Sequence, residues 1–304
     1  MVVIGSIFVD IKGYPSSTYI PGGRNKGEIQ YIHGGVARNI CEDIANVELT
    51  PTFVSTVDNT GTAIDVVEKL NKHKVNTKYI RKCKDGMGTW LAVFNNSGDL
   101  EAAISKRPAM DEIYRIMVEH GDEIASNCRS ILIEIDMDKD IVKRTFELAE
   151  KYDKPVYAVV SNMTIALERR DYLQKVDCFV CNEQEAGILF FDEFEADTKE
   201  GLAELLQEKI KMANIKKMVV TLGGEGAVYA EIDGDRGYTP AKEVDVIDTT
   251  GAGDAFFAGV CIGLSYMKSL KEASEIGTRL AASVVTSVEN VCPRFLPSEF
   301  GIEI

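Results

Sequence analysis

Two aspartates bracket a Gly-Ala-Gly turn in the stretch VDVIDTTGAGDAFFAGV, residues 244–260. The glycines permit a tight turn, and the apolar pattern behind them predicts a helix whose first free N–H groups form an anion hole. Asp254 stands at this helix start. One interpretation is an acidic helix cap, which the helix dipole stabilises. The other is a general base that takes a proton from a hydroxyl, while Gly251, Ala252 and Gly253 hold the charge developing on a transferred phosphoryl group.

Two better-known glycine-rich motifs do not fit this turn. The dinucleotide fingerprint GxGxxG has a small residue where Phe256 stands, and it follows the first strand rather than lying near the end of the chain. A Walker A loop requires Gly-Lys-Ser/Thr after its first glycines, and that triplet is missing here. We therefore do not expect a Rossmann oxidoreductase or a P-loop enzyme.

A second cluster, IHGGVARNI at residues 32–40, opens another predicted helix. Gly34 and Gly35 allow the backbone to approach a ligand, and Asn39 can both donate and accept hydrogen bonds. We expect Asp10, at the end of the first predicted strand, to lie at the same carboxyl edge of the sheet, where open α/β folds bind ligands. A tight strand–helix turn with one polar helix residue is the simpler alternative.

Two weaker signals come later in the chain. Asn182 and Glu185 follow a buried strand and share one face of a helical turn, where their oxygen atoms suit a water-coordinated magnesium ion. Taken alone, this pair is better explained as a capping box, with Asn182 as N-cap. The glycine-rich stretch TLGGEG at residues 221–226 predicts a tight turn that could approach phosphates.

The elements that must position these clusters alternate between strands and helices. Apolar, β-rich runs predict strands at 2–8, 52–57, 130–135, 156–160, 178–181 and 218–222. Between them, helical patterns cover 36–45, 63–72, 111–124, 141–151, 183–190 and 198–213. This alternation indicates βαβ units and a mostly parallel sheet covered on both faces. A hairpin of 227–232 with 243–247 and two helices, near 252–267 and 270–287, complete the pattern.

Two segments, 11–33 and 88–104, interrupt the alternation with polar-faced β patterns and a Gly/Pro-rich loop. We expect them to form a small second sheet that acts as a lid over the core, which comprises residues 1–10, 34–87 and 105–304. When the lid closes over a crevice of the core, it excludes water. The exposed edges and uncovered face of such a sheet favour pairing with another copy, so we also expect a homodimer through the lid.

Composition narrows the possible partners. The 304 residues are 45% hydrophobic and carry a net charge of −14, which suits a soluble globular protein and argues against nucleic-acid binding. No apolar run approaches the roughly 18 residues that span a bilayer, and MVVIGSIFVD is interpreted as a strand rather than a signal peptide.

The seven scattered cysteines favour reduced thiols and a cytoplasmic location. Cys178 and Cys181 lack a second ligand pair, so a buried strand is favoured over a zinc site.

Together and in this order, the clusters resemble the PfkB/ribokinase family of carbohydrate and nucleoside kinases. DTTGAGDAFFAG matches the family's C-terminal signature and GGVARN its N-terminal Gly-Gly…Asn region. NEQE fits its NxxE motif, and TLGGEGAVY its nucleotide-side strand and turn. The resemblance covers nearly the whole chain. It implies a ribokinase-like three-layer α/β/α fold with a mostly parallel central sheet and a small β-sheet lid.

The resemblance also implies ATP-dependent phosphorylation of a sugar or nucleoside hydroxyl, with magnesium as cofactor. In this family's arrangement Asp254 is the general base, and Gly251, Ala252 and Gly253 form the anion hole. The resemblance implies that substrate hydroxyls are bound by Asp10, Gly34, Gly35 and Asn39. It implies that magnesium and phosphate are bound by Asn182 and Glu185, with Glu185 acting through water. It implies that ATP is bound by Thr221, Gly223 and Gly226. Asp248 and Thr250 match the start of the site where family members often bind potassium, whereas residues 286–291 match its later part poorly.

Within the family, IGSIFVDIKGYP, NKGEIQYIHGGVARNI and NNSGDLEAAIS look most like pseudouridine kinases. Pseudouridine or a related ribosyl compound is therefore the expected substrate. The stretch SKRPAM at 105–110 departs from those kinases in the lid region, which contacts substrate. A ribokinase- or fructokinase-type sugar kinase stays an alternative. So does a non-catalytic sugar- or nucleotide-binding pseudokinase, although the intact Asp254, Gly-Ala-Gly turn and NxxE pair speak against it.

Overall fold

The computed structural model describes residues 1–303. Its strands are, in chain order, β1 (Val2–Ile4), β2 (Phe8–Pro15), β3 (Gly27–Gly34), β4 (Thr52–Val57), β5 (Asn76–Lys82), β6 (Gly88–Phe94), β7 (Leu100–Lys106), β8 (Ile131–Glu134), β9 (Val156–Val159), β10 (Cys178–Asn182), β11 (Lys217–Thr221), β12 (Gly226–Glu231) and β13 (Arg236–Pro240). Its helices are α1 (Val36–Asn46), α2 (Gly61–Lys72), α3 (Asp111–Glu119), α4 (Gly121–Ser126), α5 (Lys139–Tyr152), α6 (Met163–Ala166), α7 (Arg170–Leu173), α8 (Glu183–Phe190), α9 (Lys199–Ala213), α10 (Ala252–Ser265) and α11 (Leu270–Val285).

The central sheet has nine strands in the order β13-β12-β11-β10-β9-β8-β1-β4-β5. The strands from β11 through β5 in this order run parallel, and β12 and β13 add an antiparallel hairpin at one edge. Short strands such as β1 and β8 are buried along their whole length, as expected for a parallel sheet covered on both faces. The mostly parallel sheet predicted from the apolar runs is confirmed.

Alternate residues of these strands point into two separate cores. In β8, Ile131 and Ile133 pack into the core that holds helices α3 to α9. Leu132, between them, packs into the core that holds α1, α2, α10 and α11. Because side chains alternate across a strand, this division places one helical layer on each face of the sheet. The three-layer α/β/α arrangement expected from the sequence is confirmed.

A separate four-stranded sheet has the order β3-β2-β6-β7. Strand β2 pairs antiparallel with β3 and parallel with β6, and β6 pairs antiparallel with β7. One register row across this sheet contains Asp10, Trp90 and Ser105, and the next row contains Ile11 and Leu91. Since neighbouring rows project to opposite faces, the sheet has a polar inner row and an apolar outer row.

Asp10 does not end the first strand of the central sheet, which corrects the prediction of a strand over 2–8. Strand β1 stops at Ile4, where Gly5 and Ser6 pass against α1 and the end of β8, and Asp10 lies within β2 of the small sheet. The small sheet also extends past the predicted bounds of 11–33 and 88–104, since it begins at Phe8 and ends at Lys106.

Two other predicted elements are wrong. Residues 243–247 form no strand, because β12 turns back at the loop containing Gly234 and pairs with β13 instead. The helix predicted over 111–124 is two helices, since His120 leaves the helical conformation and Gly121 packs against Leu148 of α5. A Cβ at Gly121 would lie 2.5 Å from Cδ1 of Leu148. The close contact of the two helices therefore accounts for a glycine at this break.

Two further observations concern the cysteines and the apolar character of the helices. Cys178 and Cys181 lie in the buried strand β10, and all seven cysteines are free. Across residues 1–303, no helix combines the length and apolar character needed to cross a membrane.

Candidate active site

Two cavities meet at the turn that precedes α10. The first, about 360 Å³ in volume, is lined by Thr250, Gly251 and Asp254, and we call it the acid-lined cavity because Asp10, Glu134 and Asp136 also line it. The second, about 420 Å³, is lined by Thr249, Ala252 and Gly253 from the same turn together with three further glycines, and we call it the glycine-lined cavity. The turn is thus a common wall, and both volumes suit small-molecule ligands.

Backbone geometry makes Gly251 the critical residue of this turn. It caps α10 with φ of +83°, and a Cβ there would lie 2.1 Å from the carbonyl oxygen of Asn290. The N–H group of Ala252 donates to the carbonyl oxygen of Thr249 at 3.2 Å. Within residues 1–303, the N–H groups of Gly251, Gly253 and Asp254 have no hydrogen-bond partner. These free donors at a helix start provide the elements of an anion hole, whereas the N–H of Ala252 serves the turn itself.

Asp254 lines the acid-lined cavity, and the pKa of its carboxyl group is raised. Burial raises the pKa of Asp254 to about 6, against the opposing effect of a hydrogen bond from Asn39. The Nδ2 atom of Asn39 donates to Oδ2 of Asp254 at 2.6 Å. The Oδ1 atom of Asn39 is buried without a partner within residues 1–303, so it is free to accept from a ligand hydroxyl. A carboxylate with a pKa near 6 is suited to proton abstraction at neutral pH.

The small sheet brings Asp10 into the same cavity as Asp254. Burial raises the pKa of Asp10. Gly34 approaches it so closely that a Cβ there would lie 2.7 Å from Oδ2 of Asp10. Gly35 caps α1 with φ of +99° and lines the cavity beside Asn39, whereas Gly34 lies behind Asp10. Residues far apart in the sequence therefore converge on one space.

Glu134 and Asp136 line this cavity and were missed in the sequence analysis. Oε1 of Glu134 accepts from the N–H groups of Ser6 at 3.0 Å and Ala37 at 3.1 Å. Burial, reinforced by the neighbouring Asp136, raises the pKa of Glu134 to about 8. The available signal was the pattern ILIEID, in which acids follow a buried apolar strand, since buried carboxyl groups are rare without a partner or function.

Asn182 and Glu185 form a capping box at the start of α8 and line neither cavity. Oδ1 of Asn182 accepts from the N–H of Glu185 at 2.8 Å, and Oε2 of Glu185 accepts from the N–H of Asn182 at 2.8 Å. Burial raises the pKa of Glu185. Asn182 is the register partner of Thr221 in the neighbouring strand, which places this helix start beside the glycine-lined cavity.

No group of three or more His, Cys, Asp or Glu side chains within residues 1–303 forms a metal cage. Magnesium in phosphoryl transfer usually keeps several waters and binds one or two carboxylates together with substrate phosphates. Glu185 uses Oε2 in the capping box, and its Oε1 has no partner within the described residues. A single carboxylate of this kind fits a magnesium ion held through water.

The glycine-lined cavity combines a turn with an apolar slot. Thr221, Gly223 and Gly226 line one side of it. Gly223 has φ of +57°, and a Cβ there would meet nothing within 4 Å. The apolar side is formed by Val244, Val246, Phe256, Ala281, Ala282 and Val285. Val244 and Val246 therefore line a cavity, which explains the alternating pattern that was interpreted as a strand.

Asp248 and Thr250 lie at the beginning of the turn that precedes α10. Oδ1 of Asp248 accepts from the N–H of Thr250 at 2.8 Å. Burial works to raise the pKa of Asp248, but the backbone and side-chain hydrogen bonds of Thr250 outweigh it and lower that pKa. The carbonyl oxygen of Asn290 packs against Gly251, so the segment around 286–291 adjoins the turn.

The pfkB family carbohydrate kinase model matches residues 1–291. This chain belongs to the pfkB family. Among its relatives, the guanosine-inosine kinase of Exiguobacterium acetylicum is 32% identical over 95% of each chain. The pseudouridine kinase of Escherichia coli is 24% identical over 90% of this chain and 87% of its own. The solved ribokinase of Arabidopsis thaliana, complexed with ribose and ATP, has a TM-score of 0.84 at 21% identity and covers 98% of this chain and 97% of its own.

These similarities confirm the family, the ribokinase-like fold and the enzyme class expected from the sequence. The pfkB chain described here is a sugar or nucleoside kinase, a phosphotransferase that acts on a hydroxyl group of a small molecule and uses ATP.

Proposed function

We propose that this pfkB kinase phosphorylates a ribosyl hydroxyl of a nucleoside, with Asp254 as the general base. One observation carries the proposal: the turn over residues 249–254 is the common wall of the acid-lined and glycine-lined cavities. ATP in the glycine-lined cavity and an acceptor in the acid-lined cavity would meet at this wall. Positioning of this kind supplies much of the rate enhancement in phosphoryl transfer.

The proposed reaction uses Asp254 and the free N–H groups beside it. With a pKa of about 6, Asp254 is mostly ionised at neutral pH and accepts the proton of the attacking hydroxyl. The hydroxyl oxygen forms a bond to the γ-phosphorus as the bond to the bridging β–γ oxygen breaks and ADP leaves. The N–H groups of Gly251 and Gly253 donate to the phosphoryl oxygens while negative charge develops on them.

Four residues predicted from the sequence would hold the ribosyl group. Asp10 accepts hydrogen bonds from its hydroxyls, and Asn39 offers its unpartnered Oδ1. Gly34 and Gly35 keep this end of the cavity open, since side chains there would collide with Asp10 and with the backbone. Glu134, whose pKa of about 8 leaves it largely protonated at neutral pH, can donate to a ribosyl oxygen.

The nucleotide side rests on three further groups of residues. Thr221, Gly223 and Gly226 would lie along ATP, and Asn182 and Glu185 would position magnesium, with Glu185 acting through water. The ion neutralises charge on the β- and γ-phosphates when bound. Asp248 and Thr250 would begin a potassium site beside the turn, which the nearby carbonyl of Asn290 supports.

The choice of acceptor is supported by relatives of different similarity. The guanosine-inosine kinase is 32% identical to this chain and the pseudouridine kinase 24%. We therefore favour guanosine or inosine over pseudouridine, the substrate expected from the sequence motifs. Both are nucleosides, so the ribosyl end of the cavity would serve either.

An acceptor panel tests this function. ATP consumption is measured with guanosine, inosine, adenosine, uridine, pseudouridine, ribose and fructose, and ³¹P NMR identifies the product. We expect ADP release that depends on a nucleoside, together with a nucleoside monophosphate. Turnover of ribose or fructose alone would indicate a sugar kinase, and nucleotide binding without transfer to any acceptor would indicate a pseudokinase.

We also propose a homodimer through the outer face of the small sheet. Ile29 is 63% exposed, Tyr31 66% and Ile104 70%, and Tyr31 and Ile104 lie in the same register row across the sheet. An apolar sheet face of this kind is a common association surface, and a second copy would cover it. Sedimentation should give a dimer at micromolar concentration and a monomer for Tyr31→Lys combined with Ile104→Lys. A wild-type monomer would contradict it.

The cytoplasm is the compartment we propose for this kinase. All seven cysteines are free, and six of them are buried in β10, α1, α10 or neighbouring core segments. Buried thiols without disulfide partners fit a reducing environment, where ATP is also available.

A further inference from the structure

Arg107 is a positively charged residue that lines the acid-lined cavity. It belongs to the segment between β7 and α3, in the stretch SKRPAM. Its Nη2 atom donates to the carbonyl oxygen of Asp136 at 3.1 Å and lies 4.0 Å from Sδ of Met110. Within residues 1–303, its Nε and Nη1 groups have no hydrogen-bond partner, and no carboxylate forms an ion pair with it. Arg107 is exposed, so its guanidinium uses one donor on Asp136 and keeps the others free.

The acid-lined cavity has two ends that the sheet order separates. At one end, Gly35, Asn39 and Glu134 gather around α1 and the close of β8. The other end follows the close of β9, one strand further from α1, and carries Ser161 and Asn162. Arg107 is anchored to Asp136, which Ser161 ties to this second end through hydrogen bonds of 3.0 Å and 2.7 Å.

The second end suits a heterocyclic base. The apolar side chains of Met110, Met137 and Ile165 line the cavity next to Arg107, Asp136 and Asn162 respectively, and Trp90 lines it from the small sheet, between Asp10 and Ser105. Flat aromatic ligands bind between such side chains, with a few polar groups that set their orientation. The ribosyl group would then occupy the first end, next to Asp254.

We propose that Arg107 selects 6-oxopurine nucleosides by donating hydrogen bonds to O6 and N7 of the base; this inference rests on the nucleoside kinase activity proposed above. A 6-oxopurine presents two adjacent acceptors on that edge, which match the forked donors of a guanidinium. Adenine presents an acceptor and an amino donor on the same edge, and the amino group would face an N–H donor.

The charges around Arg107 favour a neutral base over an anionic ligand. Arg107 is the only cationic side chain among the lining residues, whereas Asp10, Asp136 and Asp254 bring carboxyl groups to the same space. A phosphorylated sugar would have its phosphate repelled by these acids and would find one basic partner rather than a cluster. A neutral acceptor pair such as O6 and N7 carries no such penalty.

The test compares inosine with purine riboside, which lacks O6. Initial rates of ADP release give kcat/KM for the wild type, Arg107→Met and Arg107→Lys, with adenosine as a third acceptor. Arg115→Met is the matched control, because Arg115 is exposed on α3 and pairs with Glu112 outside both cavities. The wild type should prefer inosine over purine riboside by about 10- to 100-fold, the size expected of one hydrogen bond from a charged guanidinium to O6, because N7 is present in both. Arg107→Met should abolish this preference by lowering the inosine value by a larger factor than the purine riboside value, since purine riboside loses only the hydrogen bond to N7. Arg107→Lys should restore only part of the preference.

The outcomes separate the inference from the function on which it rests. If the wild type phosphorylates nucleosides but Arg107→Met slows all three acceptors equally or none of them, Arg107 does not recognise the base and the kinase assignment stands. If the wild type phosphorylates sugars or sugar phosphates and no nucleoside, both proposals are overturned. A loss that is larger for inosine than for purine riboside, with Arg115→Met like the wild type, supports both.

Discussion

The two cavities that share the turn before α10 are built from opposite kinds of chemistry. Carboxyl groups line the acid-lined cavity, and burial raises the pKa values of Asp10, Glu134 and Asp254 there. Glycines and apolar side chains line the glycine-lined cavity, where Glu243 is the only acid among the lining residues. One side is thus equipped to move a proton, and the other to position a nucleotide through backbone N–H groups and apolar contact.

This difference explains how carboxylates can lie next to an anion hole without repelling the bound phosphates. Asp254 faces the cavity that would hold a neutral hydroxyl, while Gly253 faces the cavity that would hold phosphates. The turn separates the two charges by placing them on opposite sides of one helix start. Substitutions on the two sides should therefore have separable effects on catalysis and on nucleotide binding.

Asp254→Asn should give the largest difference between the effect on catalysis and the effect on ATP binding. Loss of the general base is expected to lower kcat about 10²- to 10⁴-fold, while the Kd for ATP stays within about twofold because the glycine-lined cavity is unchanged. Steady-state rates and calorimetric titration with ATP measure the two quantities. Asp233→Asn, in the exposed turn between β12 and β13, should match the wild type in both. Wild-type kcat in Asp254→Asn would rule out the base assignment.

Gly251→Ala and Gly253→Ala form a matched pair within the turn. A methyl group at Gly251 would collide with the carbonyl of Asn290 and require a positive φ, so we expect a loss of about 1–3 kcal/mol in unfolding free energy and a fall in kcat of about 10²-fold. A methyl group at Gly253 meets nothing within 4 Å, so stability should be retained while ATP binding weakens. Thermal unfolding and ATP titration distinguish them; equal destabilisation by both would contradict the geometry.

Ala282→Phe tests the nucleotide side alone. A ring in the apolar slot of the glycine-lined cavity should raise the KM for ATP roughly tenfold, equivalent to about 1.4 kcal/mol. The KM for the acceptor should stay unchanged, because Ala282 does not line the acid-lined cavity. Steady-state kinetics with each substrate varied in turn measures both, and a matching rise in the acceptor KM would show that the two cavities are not independent.

The sequence predicts the repeating framework well because buried parallel strands and their covering helices have strong, separate patterns. The predicted strand over 52–57 and helix over 183–190 coincide with β4 and α8. The predicted secondary structure is wrong at residues that form or support the site. Gly5 and Ser6 end β1 early at Glu134, and Val244 and Val246 alternate like a strand although they line a cavity.

The burial of Arg38 and Glu134 could not be predicted from the sequence, because it depends on how the elements pack together. Arg38 appeared only as a neighbour of Asn39, yet it is 1% exposed and bonds Glu42 at 2.6 Å one helical turn away. Its i,i+4 spacing fits a surface pair equally well, so periodicity alone could not place it inside. Glu134 likewise needed the sheet order and the start of α1 before its position beside Asn39 became clear.

The central claim is that the acceptor's proton passes to Asp254, and its pH dependence tests this most directly. A base must be deprotonated, so kcat/KM should fall about tenfold per unit as pH drops below about 6. Because the hydrogen bond from Asn39 lowers that pKa, Asn39→Ala should move the acidic limb to higher pH, at reduced kcat/KM. Asp233→Asn should leave the limb in place. A limb that stays fixed in Asn39→Ala, or a flat profile from pH 5 to 8, would contradict the account.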